Sequence, residues 1–428
     1  MINKRRRVHQ SGWRISPDRW LSLPLVALVL CGSLASYMEP IAGYVAYVGV
    51  LALLLGVSVI LLSSPLLSRT LYQSRMTWHV WFFVAVVGVS QIRTTVGGDL
   101  TAPGLVQAFS YFVSLVCAYF VLAEALRRNF RTNLGLLSVL GVLVSLPAIV
   151  AALFGQFSVL GLRVGVSPAR IPLIGLPASR SIFQDENYFA VVLFVCGTAT
   201  FFLQRTTRSA NARFLLLLAL LPIATAMVFT YSRAAYLATM VASLLWLASA
   251  RRGLALAAAL LVVAMIAMFW LSTTQPYADR IGAFAQVDRG LSGREMLWPI
   301  AIDRILERPF FGWGIGSVTR VISKNTIWAS SHNSVLDFAL MAGIPSGIAY
   351  IWFITMSLLP LLRQGGRSSP PTRFLLSTTV GLLVAAQFTT HTIGGLSFGS
   401  MVLTVLLGLS NAQRWRPFGQ PDSTPRCR

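Results

Sequence analysis

His332, Arg233 and Arg294 are the side chains of this sequence whose types and surroundings could do chemistry. His332 stands in Ser331-His-Asn-Ser-Val-Leu336, where a long segment gives way to an apolar run, and Asp337 follows five residues later. A histidine there can be neutral near pH 7 and accept a proton from a hydroxyl; the alternative is an interfacial ring with ordinary partners. Arg233 lies in Thr230-Tyr-Ser-Arg-Ala-Ala-Tyr236, where two apolar runs meet with almost no loop to lift it into water. Burying an arginine is costly, so either a partner or anion meets it there or its stem snorkels to the interface. Arg294, with Arg163, Arg170 and Arg180, adds guanidinium groups on the same side of the chain's plan, and their planar forks suit phosphate oxygens. The other three histidines have structural readings. His9 is in a basic tail, His79 starts an apolar run where interfacial rings are common, and His391 is at a helix end where it could cap carbonyls. No H-E-x-x-H, Cys/His cluster or carboxylate-rich D-x-D motif is present, so neither a metal nor another cofactor is implied.

The elements that hold these residues are membrane helices. Hydrophobic residues make up 55% of the 428 positions and charged ones 11%, well below the ~25% charged of a soluble domain. The apolar residues form runs that match the ~20 residues needed to cross a hydrocarbon core of about 30 Å. The spacing predicts an all-α polytopic membrane protein with about twelve transmembrane helices, near residues 21–38, 41–63, 78–92, 103–123, 134–154, 186–204, 212–230, 234–250, 253–272, 345–362, 373–390 and 396–410. The first run follows Lys4, Arg5, Arg6 and Arg7 but shows no small-residue cleavage site, and reads as a retained helix.

The net charge of +22 does not point to nucleic acid, because the charges are sorted by side. Most of the 35 basic residues fall in the even-side segments, while every acidic residue except Asp18, Glu124 and Asp422 falls on the odd side. The positive-inside rule then places both termini in the cytoplasm. The plan is a basic amino-terminal segment (1–20), helices one to nine (21–272), an outward loop (273–333), helices ten to twelve (334–410) and a cytoplasmic tail (411–428). Cys31, Cys117 and Cys196 fall within runs and Cys427 in the tail, which implies no disulfide framework.

Two outward segments are long, residues 155–185 and above all 273–333, and a loop of that length is usually functional or disordered. The larger one carries helix punctuation. Ser292-Gly-Arg-Glu295 fits a capping box; Trp298, Ile302, Ile305 and Pro309 then share a side that should be buried, and Gly312-Trp-Gly-Ile-Gly316 closes the helix. Pro299 is early enough to kink this helix without preventing it.

These segments, in this order, resemble the O-antigen ligase and polymerase family of bacterial envelopes. The resemblance rests on Tyr231-Ser-Arg-Ala-Ala-Tyr236, on Ser292-Gly-Arg-Glu-Met-Leu-Trp298 with Glu307-Arg-Pro-Phe-Phe-Gly-Trp-Gly-Ile-Gly316, and on His332-Asn-Ser-Val-Leu336 with Ala342-Gly-Ile-Pro345. Ser181-Ile-Phe-Gln-Asp-Glu-Asn-Tyr-Phe-Ala190 is similar to a weaker family motif in which an asparagine opens a span. Pro299 stands where the family more often has an ordinary helix former. The resemblance implies a GT-C-like fold with a large helical periplasmic loop between helices nine and ten. It also implies a site on the periplasmic face of the bacterial inner membrane, and an undecaprenyl-pyrophosphate-linked glycan as donor. By motif, Arg233 and Arg294 would hold the pyrophosphate and His332 would act as general base in an inverting, metal-independent transfer. Asn187, Tyr236, Asp337 and Arg180 are secondary candidates. The acceptor would be lipid A-core for a ligase, or a lipid-linked repeat unit for an O-antigen or exopolysaccharide polymerase; sugar identity and linkage are not specified. A polytopic transporter or lipid-glycan flippase is the reading from another class, since twelve spans with both ends inside is a common transporter plan. No inverted repeat supports it, and the charges gather at one outward site instead of the midplane.

Overall fold

The computed structural model describes residues 78–97, 102–159, 162–171, 175–183, 185–248, 294–323, 330–363, 369–389 and 391–412. The predicted spans 21–38, 41–63 and 253–272, and Ser292 of the capping box, lie outside them.

Every predicted span within the described residues is a helix. The first is α1 (Trp78–Val96). α2 (Ala102–Val116) runs through a π-helical turn at Cys117–Leu122 into α3 (Ala123–Arg128). After α4 (Phe130–Phe154) come three strands, β1 (Phe157–Val159), β2 (Leu162–Arg170) and β3 (Pro177–Ser181). Then follow α5 (Glu186–Thr206), α6 (Ala210–Thr230), α7 (Arg233–Ala248), α8 (Arg294–Glu307), α9 (Val318–Ser323), α10 (Ser334–Ala342), α11 (Ile344–Arg363), α12 (Pro370–Ala386) and α13 (Phe398–Ala412). Six helices among the described residues are long and apolar enough to cross a membrane: Trp78–Val96, Gly104–Arg127, Phe130–Phe154, Glu186–Thr206, Ala210–Thr230 and Ile344–Arg363. α7 and α13 are shorter apolar helices beside them.

Helix ends follow local chemistry. Asp185 caps α5 by accepting from the Tyr188 amide at 2.8 Å, and Ser209 caps α6 in the same way through Ala212. Inside the bundle, close packing needs small residues. A Cβ on Gly408 of α13 would lie 2.0 Å from the Tyr119 carbonyl oxygen, so α13 approaches the π-helical turn as only glycine allows.

The structure corrects the sequence reading in three places. The expectation of an all-α chain fails in the 155–185 segment, which folds as a three-stranded antiparallel sheet in the order β1-β2-β3. Its strands carry β-branched Val159, Val164 and Val166, whose side chains fit a pleated surface better than a helix, and Pro168 and Pro177 oppose a helix there. His79, at the start of α1, is turned into the bundle instead of outward. It continues the buried stripe of α1 formed by Phe83 and Val87, and its Nε2 lies 3.2 Å from Tyr119 Oη and 3.4 Å from Ser357 Oγ. In α8 the buried face is Leu297, Ala301 and Ile305, at strict four-residue spacing, while Ile302, one residue (about 100°) around the helix, is 47% exposed.

Candidate functional site

Three non-glycine residues among those described have a left-handed backbone: Ser181 (φ 52°), Tyr231 (φ 52°) and His332 (φ 53°). Such residues are uncommon, cost free energy, and cluster where surrounding structure enforces them for function. Each falls in one of the segments singled out by sequence. Ser181 follows Arg180, Tyr231 precedes Arg233 by two positions, and the third is the candidate base itself.

At the Arg233 junction, α6 ends at Thr230, Tyr231 turns the chain, and Arg233 opens α7. Arg233 is half-buried. Ser232, buried, donates its hydroxyl to Asn187 Oδ1 at 2.7 Å, so the asparagine that opens α5 grips the residue next to Arg233. Tyr236 reaches back to donate to the Val228 carbonyl at 2.7 Å; its hydroxyl closes the α6–α7 turn. The sheet covers this junction, with Ile171 and Ala178 packed on Tyr231. Arg180 shares the β3 face of Ala178, two residues away, and its Nε passes 2.6 Å from where a Cβ on Gly165 would be, so the glycine leaves the lane for the guanidinium.

At the His332 turn, Asn333 caps α10 by accepting from the Val335 and Leu336 amides at 3.0 and 3.2 Å. Asp337 is buried, and its Oδ1 accepts from both the amide (3.0 Å) and the hydroxyl (2.7 Å) of Ser331. Its role is therefore to hold the backbone immediately before His332. Burial pushes the Asp337 carboxyl up to about 6, opposed by the two Ser331 bonds. The His332 amide donates to Ser330 Oγ at 3.1 Å, which completes the turn and leaves the ring half-buried.

Arg294 opens α8, which docks on α10: Leu297, Ala301 and Ile305 pack with Ala339 and Leu340. Two turns clamp the far ends of these helices. Trp313 and Gly314 amides donate to the Leu340 and Met341 carbonyls, both at 2.8 Å, and the Ile344 amide donates to the Pro309 carbonyl at 2.7 Å. Arg308 lies over the Trp313 ring at 4.2 Å. The loop is tied down to the bundle as well, because Gln91 Oε1 of α1 accepts from the Ile315 amide and Ser90 donates to the Phe311 carbonyl.

The two halves meet through contacts that sequence reasoning missed. Ser334 donates to the carbonyls of both Ala386 (2.8 Å) and His391 (2.9 Å), and the His391 ring lies tilted against Tyr188, next to Asn187, with ring centroids 5.6 Å apart. Ser334 and Tyr188 were legible as members of the motifs but not as connectors, which only the fold reveals. His391 does not cap helix carbonyls with its ring, as the sequence suggested; it is buried among serines. Among the described residues no group of three or more His, Cys, Asp or Glu gathers as metal ligands would.

Six described helices long and apolar enough to cross a bilayer point to a multi-pass membrane protein, with the Arg233 junction and the docked α8–α10 loop as its candidate site. Residues 214–351 match the family model described as O-antigen ligase, a span from α6 into α11 that includes Arg233, Arg294, His332 and Asp337. That segment, 138 of the 428 residues, is thus similar to the O-antigen ligase family. A comparison with curated proteins finds no match to the chain.

Proposed function

We propose that this protein transfers a glycan from undecaprenyl pyrophosphate to an acceptor hydroxyl at the periplasmic face of the bacterial inner membrane, by direct displacement and without metal. The acceptor is lipid A-core if the protein is a ligase, or a lipid-linked repeat unit if it is a polymerase. The observation that carries this reading is the left-handed turn at His332, pinned by buried Asp337 within the family-matched segment. Strain enforced around a half-buried histidine fits a proton acceptor better than a surface ring.

The acceptor oxygen attacks the anomeric carbon as His332 takes its proton, the carbon–oxygen bond to the pyrophosphate breaks, and the configuration inverts. Negative charge then grows on the departing phosphate. Arg233 and Arg294 meet it in a partly dry site, where fixed guanidinium groups stabilise charge far better than in water. Asn187 steadies Arg233 through Ser232. Arg180, two residues from Ala178 on the strand that packs on Tyr231, would add a third cation.

The test is transfer of a lipid-linked glycan in vitro, with donor binding measured alongside on folded protein. His332→Ala should reduce transfer by at least ~100-fold, as loss of a general base does, while donor binding stays within about twofold. Arg233→Lys should also fail, because a point charge does not replace a bidentate fork. Near-normal transfer by His332→Ala would show the histidine to be structural and the mechanism wrong. Activity lost in excess chelator and restored by magnesium or manganese would sink the arginine-only account.

A further inference from the structure

His391 lies on the chain between α12 and α13, outside the family-matched segment, and is 4% exposed. Its Nδ1 is 3.1 Å from Ser397 Oγ. With the Ser397 hydroxyl proton directed to Ser400 Oγ at 2.8 Å and its oxygen accepting the Ser400 amide at 3.2 Å, one lone pair remains, which favours Nδ1 as the donor. The Nδ1–H tautomer is the one that strands no buried proton, because Nε2 makes no hydrogen bond among the described residues. Burial pushes this imidazole down to about 4, which keeps it neutral at the pH of the envelope. Gly399 makes room for the ring, since a Cβ there would lie 2.8 Å from Nδ1.

The surroundings connect both halves of the site. On one side the ring packs near Tyr188, whose hydroxyl accepts the first amide of α13, from Phe398, at 2.8 Å; the adjoining Asn187 holds Ser232 next to Arg233. On the other side the His391 carbonyl accepts from Ser334, two residues after His332. Three elements distant in sequence, the openings of α5, α10 and α13, converge on this one residue. Ser397 caps α13, and the direction of its lone pairs is set by the imidazole.

We infer that His391 is a positioning residue of the site, whose Nδ1–H, given to the Ser397 cap of α13, fixes the spacing between the arginine half at Asn187–Arg233 and the histidine half at His332–Ser334. This rests on the transfer reaction proposed above. It differs from a generic packing role in one respect: the requirement is for a donor at the Nδ1 position and not for the imidazole's volume or its Nε2.

The experiment compares His391→Asn, His391→Gln and His391→Phe in the transfer assay, with kcat and KM for donor and acceptor determined separately. Asparagine places an amide NH2 close to the Nδ1 position, glutamine places one near Nε2, and phenylalanine keeps only the volume. Asn should retain kcat within about threefold, whereas Gln and Phe should lose about 10-fold, inside the ~100-fold that a 1 Å misplacement can cost. KM should move less than kcat in each case. Gly399→Ala, which pushes on the same ring, should reproduce the Gln pattern. Equal activity of Asn and Gln, or an undiminished Phe variant, overturns the inference; if Phe fails to fold, the Asn and Gln pair still decides. Absence of transfer by the unaltered protein would instead count against the proposed function, which separates the two failures.

Discussion

At the residue scale, Asp337 shows how a carboxylate can serve a base without touching it. It lies one α-helical turn inside α10, buried, with its carboxylate accepting twice from Ser331, so its effect on His332 passes through the backbone. Asparagine at 337 retains an oxygen that can accept both bonds, so Asp337→Asn should keep most transfer activity. Asp337→Ala leaves the buried Ser331 amide unpaired at a cost of about 1–3 kcal/mol, and should lower transfer sharply. The two variants also separate by pH. Burial raises the folded-state carboxyl from its ordinary 3.8 to about 6, so the folded protein holds a proton that the unfolded chain has released between those values. Stability is therefore greatest below about pH 4 for this group and declines as pH rises through 6, by at most ~3 kcal/mol for a shift of that size. Thermal midpoints should fall from pH 4 to pH 7 in the unaltered protein relative to Asp337→Asn; parallel profiles would show that the carboxyl is not perturbed. His332, Arg233 and Asn187 were legible in the sequence because each sits in a short motif beside an apolar run. His391 was not, because its partners come from positions 188, 334 and 397, and no local pattern announces such a meeting.

At the element scale, α8 decides whether the outward loop is a rigid part of the site. Leu297, Ala301 and Ile305 seat it on α10, and the Gly312 and Gly343 turns lock the two helix ends together. Gly312 has φ 61°, and a Cβ there would lie 2.5 Å from the Leu340 carbonyl oxygen, so the turn requires glycine for both conformation and space. Leu297→Ala should destabilise the protein by about 2–5 kcal/mol, whereas Ile302→Ser should stay within about 0.5 kcal/mol because that side chain is exposed. Thermal unfolding of the two variants in detergent checks this; equal losses would mean that α8 is seated on the face first read from the sequence. Four-residue spacing alone did not distinguish the faces, since Trp298, Ile302 and Ile305 also form an apolar set. The face that is buried has Ala301 at its centre, fully buried in one cluster with Leu340. The sheet was illegible for a related reason. Its strands are short and bent by register shifts near Gly165 and Val166, so no clean alternation of period two survives in the sequence.

At the scale of the whole molecule, the described connections between helices fall into two sets that differ in their acids. The site end gathers the sheet, the Arg233 junction, the α8–α10 loop and the His391 turn, where Arg163, Arg170, Arg180, Arg233, Arg304, Arg308 and Arg320 stand together with Asp185, Glu186, Asp303, Glu307 and Asp337. The opposite end carries Arg127, Arg131, Arg205, Arg208, Arg213, Arg363 and Arg373, with a single described acid, Glu124, paired to Arg127 at 2.8 Å. Arg131 also donates to the Thr206 carbonyl at 3.2 Å, joining two connections at that end. The acids follow the side-sorted plan of the sequence, in which the positive-inside rule would put the Arg127 to Arg373 set in the cytoplasm. The arrangement has a direct consequence for labelling. Cysteines placed singly at Ser158 and Ser323, both exposed at the site end, should react with a membrane-impermeant thiol reagent added to cells whose outer membrane has been permeabilised. Cysteines at Thr132 and Ala210, exposed at the opposite end, should react only after the inner membrane is opened. Gly394, which the sequence alone would offer as an outward position, is a poor choice. Its φ is 76°, and a Cβ there would lie 2.7 Å from the Tyr111 ring, so a side chain would strain the turn that carries His391. The reverse labelling pattern would put the histidine and its arginines on the cytoplasmic side, away from any acceptor at the periplasmic face, and would overturn the proposed transfer along with the topology.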